Sequence, residues 1–246
     1  MNQKKERIKL KKIGIIGAMD VEIAILRAEM EKNGILKQSE SGNLVFNEGN
    51  INGKDVVVVK SGVGKVNAAL CAQQLILKFG VDAVINSGIA GAMKEGLHIF
   101  DLVVSEDAVY HDVDATAFGY KPTEVPQMKC STFKADEKLI EAAEKGFSNS
   151  EQSAKFKMIR GRIATGDQVI ADEKIKKHIA EICNPACVEM EGSAIAHACY
   201  LNNVPFVILR TISDNADASY EATYSFNETD AAEECSAIVM NMLKVL

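Results

Sequence analysis

The stretch VEMEGSAIA at residues 188–196 joins a short apolar segment to a run of small residues, with two carboxylates at the junction. A strand that passes directly into a buried helix is the building unit of an α/β fold. If Val188 to Met190 end the strand, Glu189 and Glu191 point to the same face. Carboxylates at such a junction are costly to bury unless they bind something. The spacing alone does not separate a binding site from two solvated loop acids.

Residues 204–214, VPFVILRTISD, contain a second strand end close to the first. The continuous apolar run from Val204 to Leu209 is typical of a buried parallel strand, and Asp214 lies just past it. In open α/β sheets, ligands bind outside the carboxyl ends of the strands. We therefore expect Glu191 and Asp214 to belong to one site.

The rest of the chain alternates between predicted strands and helices, which indicates one three-layer α/β/α sandwich with a mixed central sheet over residues 13–246. Ser41-Gly42-Asn43 and Asn52-Gly53 predict tight hairpin turns. Residues 1–12 are basic and lack an apolar stretch, so we expect a mobile extension and no secretory signal. Predicted strands are 13–17, 55–60, 82–85, 102–105, 158–164 and 188–190, and predicted helices are 21–33, 61–80, 136–146, 171–182, 193–200 and 228–246.

The composition argues against nucleic-acid and membrane partners. The net charge is −6 and the sequence pI is about 5.4, the wrong sign for an anionic surface. Aromatic residues make up only 6% with no Trp, so stacking platforms for bases are not expected. No apolar run reaches transmembrane length. The six cysteines are scattered, several on apolar helical faces, which predicts free thiols in a reducing cytoplasm.

Two possible metal motifs are weak, so we expect no metal and no cofactor. Cys183 and Cys187 have no second pair of Cys or His at zinc spacing. His111 is accompanied by Asp112 and Asp114, but a histidine in an irregular segment is more often structural.

The glycine-containing segment SGVGKV at residues 61–66 resembles two phosphate loops and satisfies neither. A P-loop has Ser or Thr after the lysine, where this chain has Val66, and a dinucleotide loop has a third glycine, where it has Asn67. We expect close packing of a helix on a strand, with some backbone open to a ligand. NSGIAG at residues 86–91 is likewise predicted to be a loop of small residues that a ligand can approach closely.

Several segments together resemble the 5′-methylthioadenosine/S-adenosylhomocysteine nucleosidases of the purine nucleoside phosphorylase superfamily, over nearly the whole chain beyond its basic start. The resemblance implies a nucleoside phosphorylase-like fold, hydrolysis of the N-glycosidic bond with release of adenine, and a homodimer in which residues 110–126 reach into the partner's pocket. The segments are GAMDVE (17–22), KSGVGKV (60–66), NSGIAG (86–91), YHDVDATAFGY (110–120), TGDQVI (165–170), VEMEGSAIA (188–196) and VPFVILRTISDNAD (204–217).

The resemblance also implies a role for individual residues. Glu22 matches the family's general base, which activates water, and Asp214 matches the general acid that protonates adenine, with Ser213 beside it. Glu191 matches the glutamate that binds the ribose hydroxyls, and Met190 packs on the sugar. Further pocket positions match Val63, Gly91, Val169, Ile170, Arg210 and Phe226. The chain departs from the family at Val169, where relatives often carry an aromatic that stacks on adenine, and at Ile89, where many carry Ser or Thr.

The chemistry fits these residue types. A neutral Asp214 with a raised pKa can protonate a ring nitrogen of the purine, while an ionised Glu22 at a helix start orients water. An ionised Glu191 can accept hydrogen bonds from two sugar hydroxyls and offset the positive charge that develops in an oxocarbenium-like transition state.

Phosphorolysis of a purine nucleoside is the main alternative, and it needs cations for phosphate. Residues 17–22 and 86–88 contain no arginine, and an anionic Glu22 would repel phosphate, so hydrolysis is favoured. Another 6-aminopurine nucleoside, such as a futalosine-pathway intermediate, is an alternative substrate. A non-catalytic nucleoside-binding protein is the third hypothesis, although such a protein would not need both a general acid and a general base.

Overall fold

Ten strands form one mixed sheet in the computed structural model, which describes residues 10–32, 36–217 and 220–246. The side chains of residues 36, 220–223, 225 and 226 are outside this description. The strands are β1 (Lys12–Gly17), β2 (Leu36–Ser41), β3 (Leu44–Ile51), β4 (Lys54–Lys60), β5 (Ala83–Ala92), β6 (Leu102–Tyr110), β7 (Phe133–Lys134), β8 (Met158–Thr165), β9 (Cys187–Glu189) and β10 (Phe206–Asp214). The helices are α1 (Asp20–Lys32), α2 (Lys65–Phe79), α3 (Glu137–Ser148), α4 (Glu173–Cys183), α5 (Gly192–Asn202) and α6 (Tyr220–Val245), with short 3₁₀ turns at Thr116–Phe118 and Glu151–Ala154.

Strand β5 is the point at which the sheet divides. β1 runs parallel to β5 as far as Asn86, and β9 joins the same edge only from Gly91. The opposite edge is paired with β10 from Val84 to Gly91. Because β9 continues through β8 and β6 to β10, these five strands close into a ring. Residues 87–90 of β5 therefore keep one edge that no strand covers.

Helices lie on both faces of the sheet, which confirms the predicted α/β architecture with a mixed sheet. One apolar core forms where α1, α3 and α6 pack against it, around Ile13, Leu26 and Val239. The other core lies under α2 and α5, around Leu75 and Ile195. Covered on both faces, the central strands β5 and β10 are buried at every position, as expected for continuous apolar runs such as residues 204–209.

The periodicity of apolar residues predicts most of these strands and helices, and the turn residues predict both hairpins. Asn52 and Gly53 have φ angles of 52° and 80°, the left-handed pair that a two-residue hairpin requires. Several boundaries differ from prediction: β6 continues to Tyr110, five residues past its predicted end, and α2 begins at Lys65 and not at Ser61. Residues 86–91 are part of β5 and not a loop, because β10 pairs with them along one edge. Asp214 ends β10 instead of following it, and α6 begins eight residues before the predicted start.

Of the predicted basic extension, residues 1–12, positions 1–9 lie outside the described residues. Lys12 itself begins β1, and the backbone N–H groups of Lys11 and Lys12 donate to Oδ2 of Asp82 at 2.8 and 2.9 Å. Among the described residues, no helix is long and apolar enough to cross a membrane.

Candidate active site

A cavity of about 210 Å³ opens beside the uncovered edge of β5, and the predicted acids Glu22, Glu191 and Asp214 all line it. They arrive from α1, from the start of α5 and from the end of β10. Its lining also contains the predicted residues Val63, Gly91, Val169, Ile170, Met190 and Ser213, together with Ala18, Met19, Ile89, Ala90, Gln168, Val188, Glu189, Ala216 and Tyr224.

Glu22 is buried in the first turn of α1, where its carboxylate satisfies backbone N–H groups. Oε2 accepts from Ala18 at 2.6 Å and from Met19 at 3.1 Å, and Oε1 accepts from Ile89 at 3.1 Å, on the uncovered edge of β5. Burial raises the pKa of Glu22, while the charge of Arg210 and the three N–H donors act to lower it. These donors favour the carboxylate, and the raised pKa makes it a stronger base than an exposed glutamate.

Glu191 lies at the N-cap of α5, and its Oε1 accepts the backbone N–H of Gly64 at 2.8 Å. This bond brings the backbone of the glycine-containing segment to the edge of the site. Burial, reinforced by the charge of Glu189, raises the pKa of Glu191 to about 8. The sequence-based expectation of an ionised Glu191 therefore differs from the structure, in which two buried carboxylates two residues apart disfavour a second negative charge.

Glu189 performs a different task from Glu191, although both were expected on one face. Its Oε2 accepts the N–H groups of Glu191 and Gly192 at 3.0 and 2.7 Å, at the positive end of α5. Its other oxygen accepts the hydroxyl of Thr165. β9 ends at Glu189, and the chain turns into α5 there, so the strand alternation does not reach Glu191.

Asp214 is buried at the end of β10, and both of its carboxyl oxygens accept a hydrogen bond. Oδ1 accepts the N–H of Ala216 at 2.8 Å, and Oδ2 accepts the hydroxyl of Ser213 at 2.9 Å. Burial raises its pKa, against the opposing effect of these two hydrogen bonds. Gly91 lies against this carboxyl, and a Cβ there would come within 2.8 Å of Oδ1.

Arg210 was predicted to bind substrate, but it lies behind the cavity wall and is 1% exposed. Its Nη2 donates to Glu189 and to Oδ1 of Asn86, the latter at 2.7 Å, and lies 3.7 Å from Oε2 of Glu191. The guanidinium thus holds the carboxylates in place and offsets part of their charge. Gly88 makes this arrangement possible, because a Cβ there would overlap both Nη1 of Arg210 and Oε1 of Glu22.

Apolar side chains close the rest of the cavity. Val63 and Val169 are about half exposed at its open side, at 48% and 52%. Met190 and Ile170 line it as predicted, and Phe226 lies in α6 with a side chain outside the described residues. Tyr224, on the same helix, was missed because no periodic pattern was recognised before residue 228.

No cluster of metal-ligating side chains occurs among the described residues, so the aspartates beside His111 do not form one. All six cysteines, each in a described segment, carry free thiols, and every one except Cys130 is buried.

Comparison with known proteins agrees with this geometry. Residues 12–244 match the Phosphorylase superfamily. The chain is 40% identical over 238 residues to the 5′-methylthioadenosine/S-adenosylhomocysteine nucleosidase of Staphylococcus haemolyticus, covering 95% of this chain and 100% of the relative.

Solved structures give the same result for the fold. The 5′-methylthioadenosine/S-adenosylhomocysteine nucleosidase of Colwellia psychrerythraea, in complex with adenine, superposes with a TM-score of 0.89 at 40% identity, over 96% of this chain and 95% of that one. The futalosine hydrolase of Helicobacter pylori superposes with a TM-score of 0.88 at 32% identity, over 96% and 99%.

Proposed function

Since the chain belongs to the 5′-methylthioadenosine/S-adenosylhomocysteine nucleosidase family of the phosphorylase superfamily, we propose that its cavity hydrolyses the N-glycosidic bond of these two nucleosides and releases adenine. The observation that carries the proposal is the meeting of Glu22, Glu191 and Asp214 in one largely apolar cavity. Each acid arrives from a different element, and each has a different set of hydrogen-bond partners.

Asp214 acts as the general acid. Burial raises its pKa, so that it retains a proton at a pH where an exposed aspartate is ionised. Transfer of this proton to a ring nitrogen makes adenine a neutral leaving group. Ser213 and Ala216 hold the carboxyl by its two oxygens and fix the direction of the transfer.

Glu22 acts as the general base toward water on the opposite face of the sugar. Three backbone N–H donors fix the Glu22 carboxylate, and the nearby positive charge of Arg210 favours its ionised form. Positioned proton transfer of this kind contributes about 10²–10⁴-fold to the rate.

Glu191 binds the ribose hydroxyls, with Met190 beside the sugar. Burial raises the pKa of Glu191 to about 8, and ribose hydroxyls that donate to its oxygens favour the ionised form. The charge that results lies near the anomeric carbon, where positive charge develops in the transition state.

Water is favoured over phosphate as the nucleophile. No lysine or arginine lines the described part of the cavity, and the guanidinium of Arg210 lies behind the cavity wall, where its Nη2 donates to Glu189 and Asn86. A phosphate dianion would therefore meet carboxylates without a free cationic partner.

The direct test is release of adenine from 5′-methylthioadenosine in phosphate-free buffer, followed by separation of the products. Hydrolysis predicts adenine and free methylthioribose at a rate that added phosphate does not increase. Release that occurs only with phosphate would establish phosphorolysis. Measuring kcat/KM for S-adenosylhomocysteine and for a futalosine-type nucleoside in parallel identifies the preferred substrate. A large preference for the futalosine-type nucleoside would show that the protein is a hydrolase of that nucleoside instead.

A homodimer is also part of the proposal. On α2, Val66, Leu70 and Leu77 are 60–72% exposed on one helical face, and Leu201 on α5, the helix that packs on α2, is 62% exposed. Phe118, which is 85% exposed, lies within the segment that resembles the partner-reaching loop. Apolar groups gathered on one surface support an interface. The free thiols support a cytoplasmic location.

A further inference from the structure

Three charged side chains form a bridge at the open side of the cavity. Lys65 is the first residue of α2, and its Nζ lies 2.5 Å from Oδ2 of Asp112 and 3.7 Å from Oδ2 of Asp167. The side chains of Lys65 and Asp112 are only 23% and 13% exposed, whereas that of Asp167 is 50% exposed. The pair between Lys65 and Asp112 is thus shielded from solvent more than an ordinary surface ion pair.

The same residues are joined through the backbone. Oδ1 of Asp167 accepts the N–H of Lys65 at 2.9 Å, and Oδ2 of Asp112 accepts the N–H of Asp167 at 3.0 Å. Gly64, the N-cap of α2, has no side chain of its own to cap the helix. A carboxylate 102 positions away therefore supplies a cap that is normally local.

Two of the three joined segments continue directly into the cavity wall. Beside Lys65, Val63 lines the cavity and Gly64 donates to Glu191. Beside Asp167, residues 168–170 line it. Asp112 belongs to the irregular segment that follows β6. Lys65 itself does not line the cavity, so it can act only through these neighbours.

We name Lys65, Asp112 and Asp167 the mouth clamp. We propose that the mouth clamp positions Gly64, which donates to Glu191, against residues 168–170. This positioning sets the affinity of the cavity for the nucleoside. The proposal rests on the proposed function and adds positioning residues to it. It also gives a role to two sequence features that the proposed chemistry leaves unused, the lysine of SGVGKV and the aspartate that follows His111.

The first test removes the central cation. Lys65→Met keeps the length of the side chain and removes its charge, and Asp167→Asn keeps an oxygen that can accept the Lys65 N–H while removing the second charge. We expect KM for 5′-methylthioadenosine to rise by about tenfold in Lys65→Met, equivalent to ~1.4 kcal/mol, with kcat within about twofold, because a loss of positioning weakens ground state and transition state alike. Asp167→Asn is expected to raise KM by a smaller factor.

The matched control is Lys37→Met, which removes an exposed lysine 3.8 Å from Glu48, in a pair that does not touch the cavity. Its KM should equal that of the unmodified protein. Lys65→Arg retains the charge and should restore most of the affinity. A purely structural lysine would lower the unfolding temperature in Lys65→Met while KM stayed unchanged, and that result would overturn the proposal.

Hydrogen exchange provides a readout that does not depend on activity. Amides of residues 166–170 and 61–66 should exchange faster in Lys65→Met than in Lys37→Met, with the core strands unchanged. Equal exchange at both segments would refute the clamp even in a protein that proved inactive. If the unmodified protein releases no adenine, the proposed function fails, and the exchange measurement still decides whether the clamp exists.

Discussion

At the scale of single residues, the hydrogen-bond partners distinguish two carboxyls whose pKa values are raised by the same cause. Glu22 accepts three N–H groups and lies near Arg210, which together favour the charged form needed in a base. Asp214 accepts only one N–H and one hydroxyl, and burial outweighs these bonds and the charge of Lys176, which suits an acid. The surroundings of the two carboxyls thus agree with the roles of base and acid that the resemblance implies.

Replacing the acid should separate binding from chemistry. Asp214→Asn keeps the shape of the side chain and its hydrogen bonds to Ser213 and Ala216 in part, but it cannot transfer the proton. We expect kcat for adenine release to fall by about 10²–10⁴-fold, with KM changed much less. Steady-state kinetics on 5′-methylthioadenosine measure both; a kcat near that of the unmodified protein would remove Asp214 from the role of acid.

The raised pKa of Glu191 predicts a pH-dependent stability. Its value of about 8 in the folded state exceeds the ordinary 4.5, so the folded protein binds the extra proton between these values. The stability that this proton contributes is complete below about 4.5 and is lost as pH rises through about 8. Glu191→Gln does not titrate, so its unfolding temperature minus that of the unmodified protein should increase from pH 5 to pH 9.

The control for this comparison is Glu173→Gln, at an exposed position on α4. Its unfolding temperature should follow that of the unmodified protein across the same pH series. Parallel curves for Glu191→Gln and the unmodified protein would contradict the raised pKa.

At the scale of elements, the sequence predicts what is local and misses what depends on pairing. Hairpins at residues 41–43 and 52–53 follow from turn chemistry, and the long apolar runs identify buried strands. Residues 86–91 have small side chains that weaken strand propensity, so their pairing, above all with β10 more than a hundred residues later, and not local propensity, keeps them in β5. The spacing of apolar residues likewise does not predict that α6 begins at Tyr220.

The candidate site is predictable for a related reason: its acids stand at element ends, where the sequence shows them. The resemblance supplies their roles, and Glu22 in particular has a simple helix-end explanation without it. The sequence does not show that Arg210 turns away from the cavity, because that depends on Glu189 and Asn86 from two other elements. The sequence also does not show that β9 runs antiparallel to β5. Glu191 and Asp214 therefore meet because the sheet divides at β5, and not because their strands end at a common edge.

The uncovered part of β5 yields a test at Gly88. A methyl group there would displace both the Glu22 carboxylate and the Arg210 guanidinium, neither of which has free space in the buried cluster. We expect Gly88→Ala to lower kcat by at least about tenfold and to reduce stability by ~1–3 kcal/mol, the usual cost of overpacking. Kinetics and chemical denaturation measure the two effects, and unchanged values for both would show that the cluster relaxes freely.

At the scale of the whole molecule, helix α1 and the ring of strands bring together acids that are nearly 200 residues apart in the chain. α2 packs on α5 through paired amide hydrogen bonds between Gln73 and Asn202, at 2.8 and 3.4 Å. The outward face of the same helices is apolar. The segment that supports Glu191 through Gly64 therefore continues into the surface that we propose as the dimer interface.

A charge on that surface should dissociate the dimer. Leu70, 60% exposed on α2, is replaced by aspartate, and Ile175, 44% exposed on α4, receives the same change as a control. Analytical ultracentrifugation should show a monomer for Leu70→Asp at micromolar concentration and a dimer for Ile175→Asp and the unmodified protein. A monomer for the unmodified protein would remove the homodimer from the account.

The most direct measurement of the central claim is the rate at which Glu22→Gln releases adenine from 5′-methylthioadenosine in phosphate-free buffer. Asp20→Asn, on the same helix with a side chain that is 71% exposed, is the control. Without its base, Glu22→Gln is predicted to lose about 10²–10⁴-fold in kcat while still binding adenine, and Asp20→Asn should remain as active as the unmodified protein. Normal turnover by Glu22→Gln would contradict the claim that this carboxylate activates water.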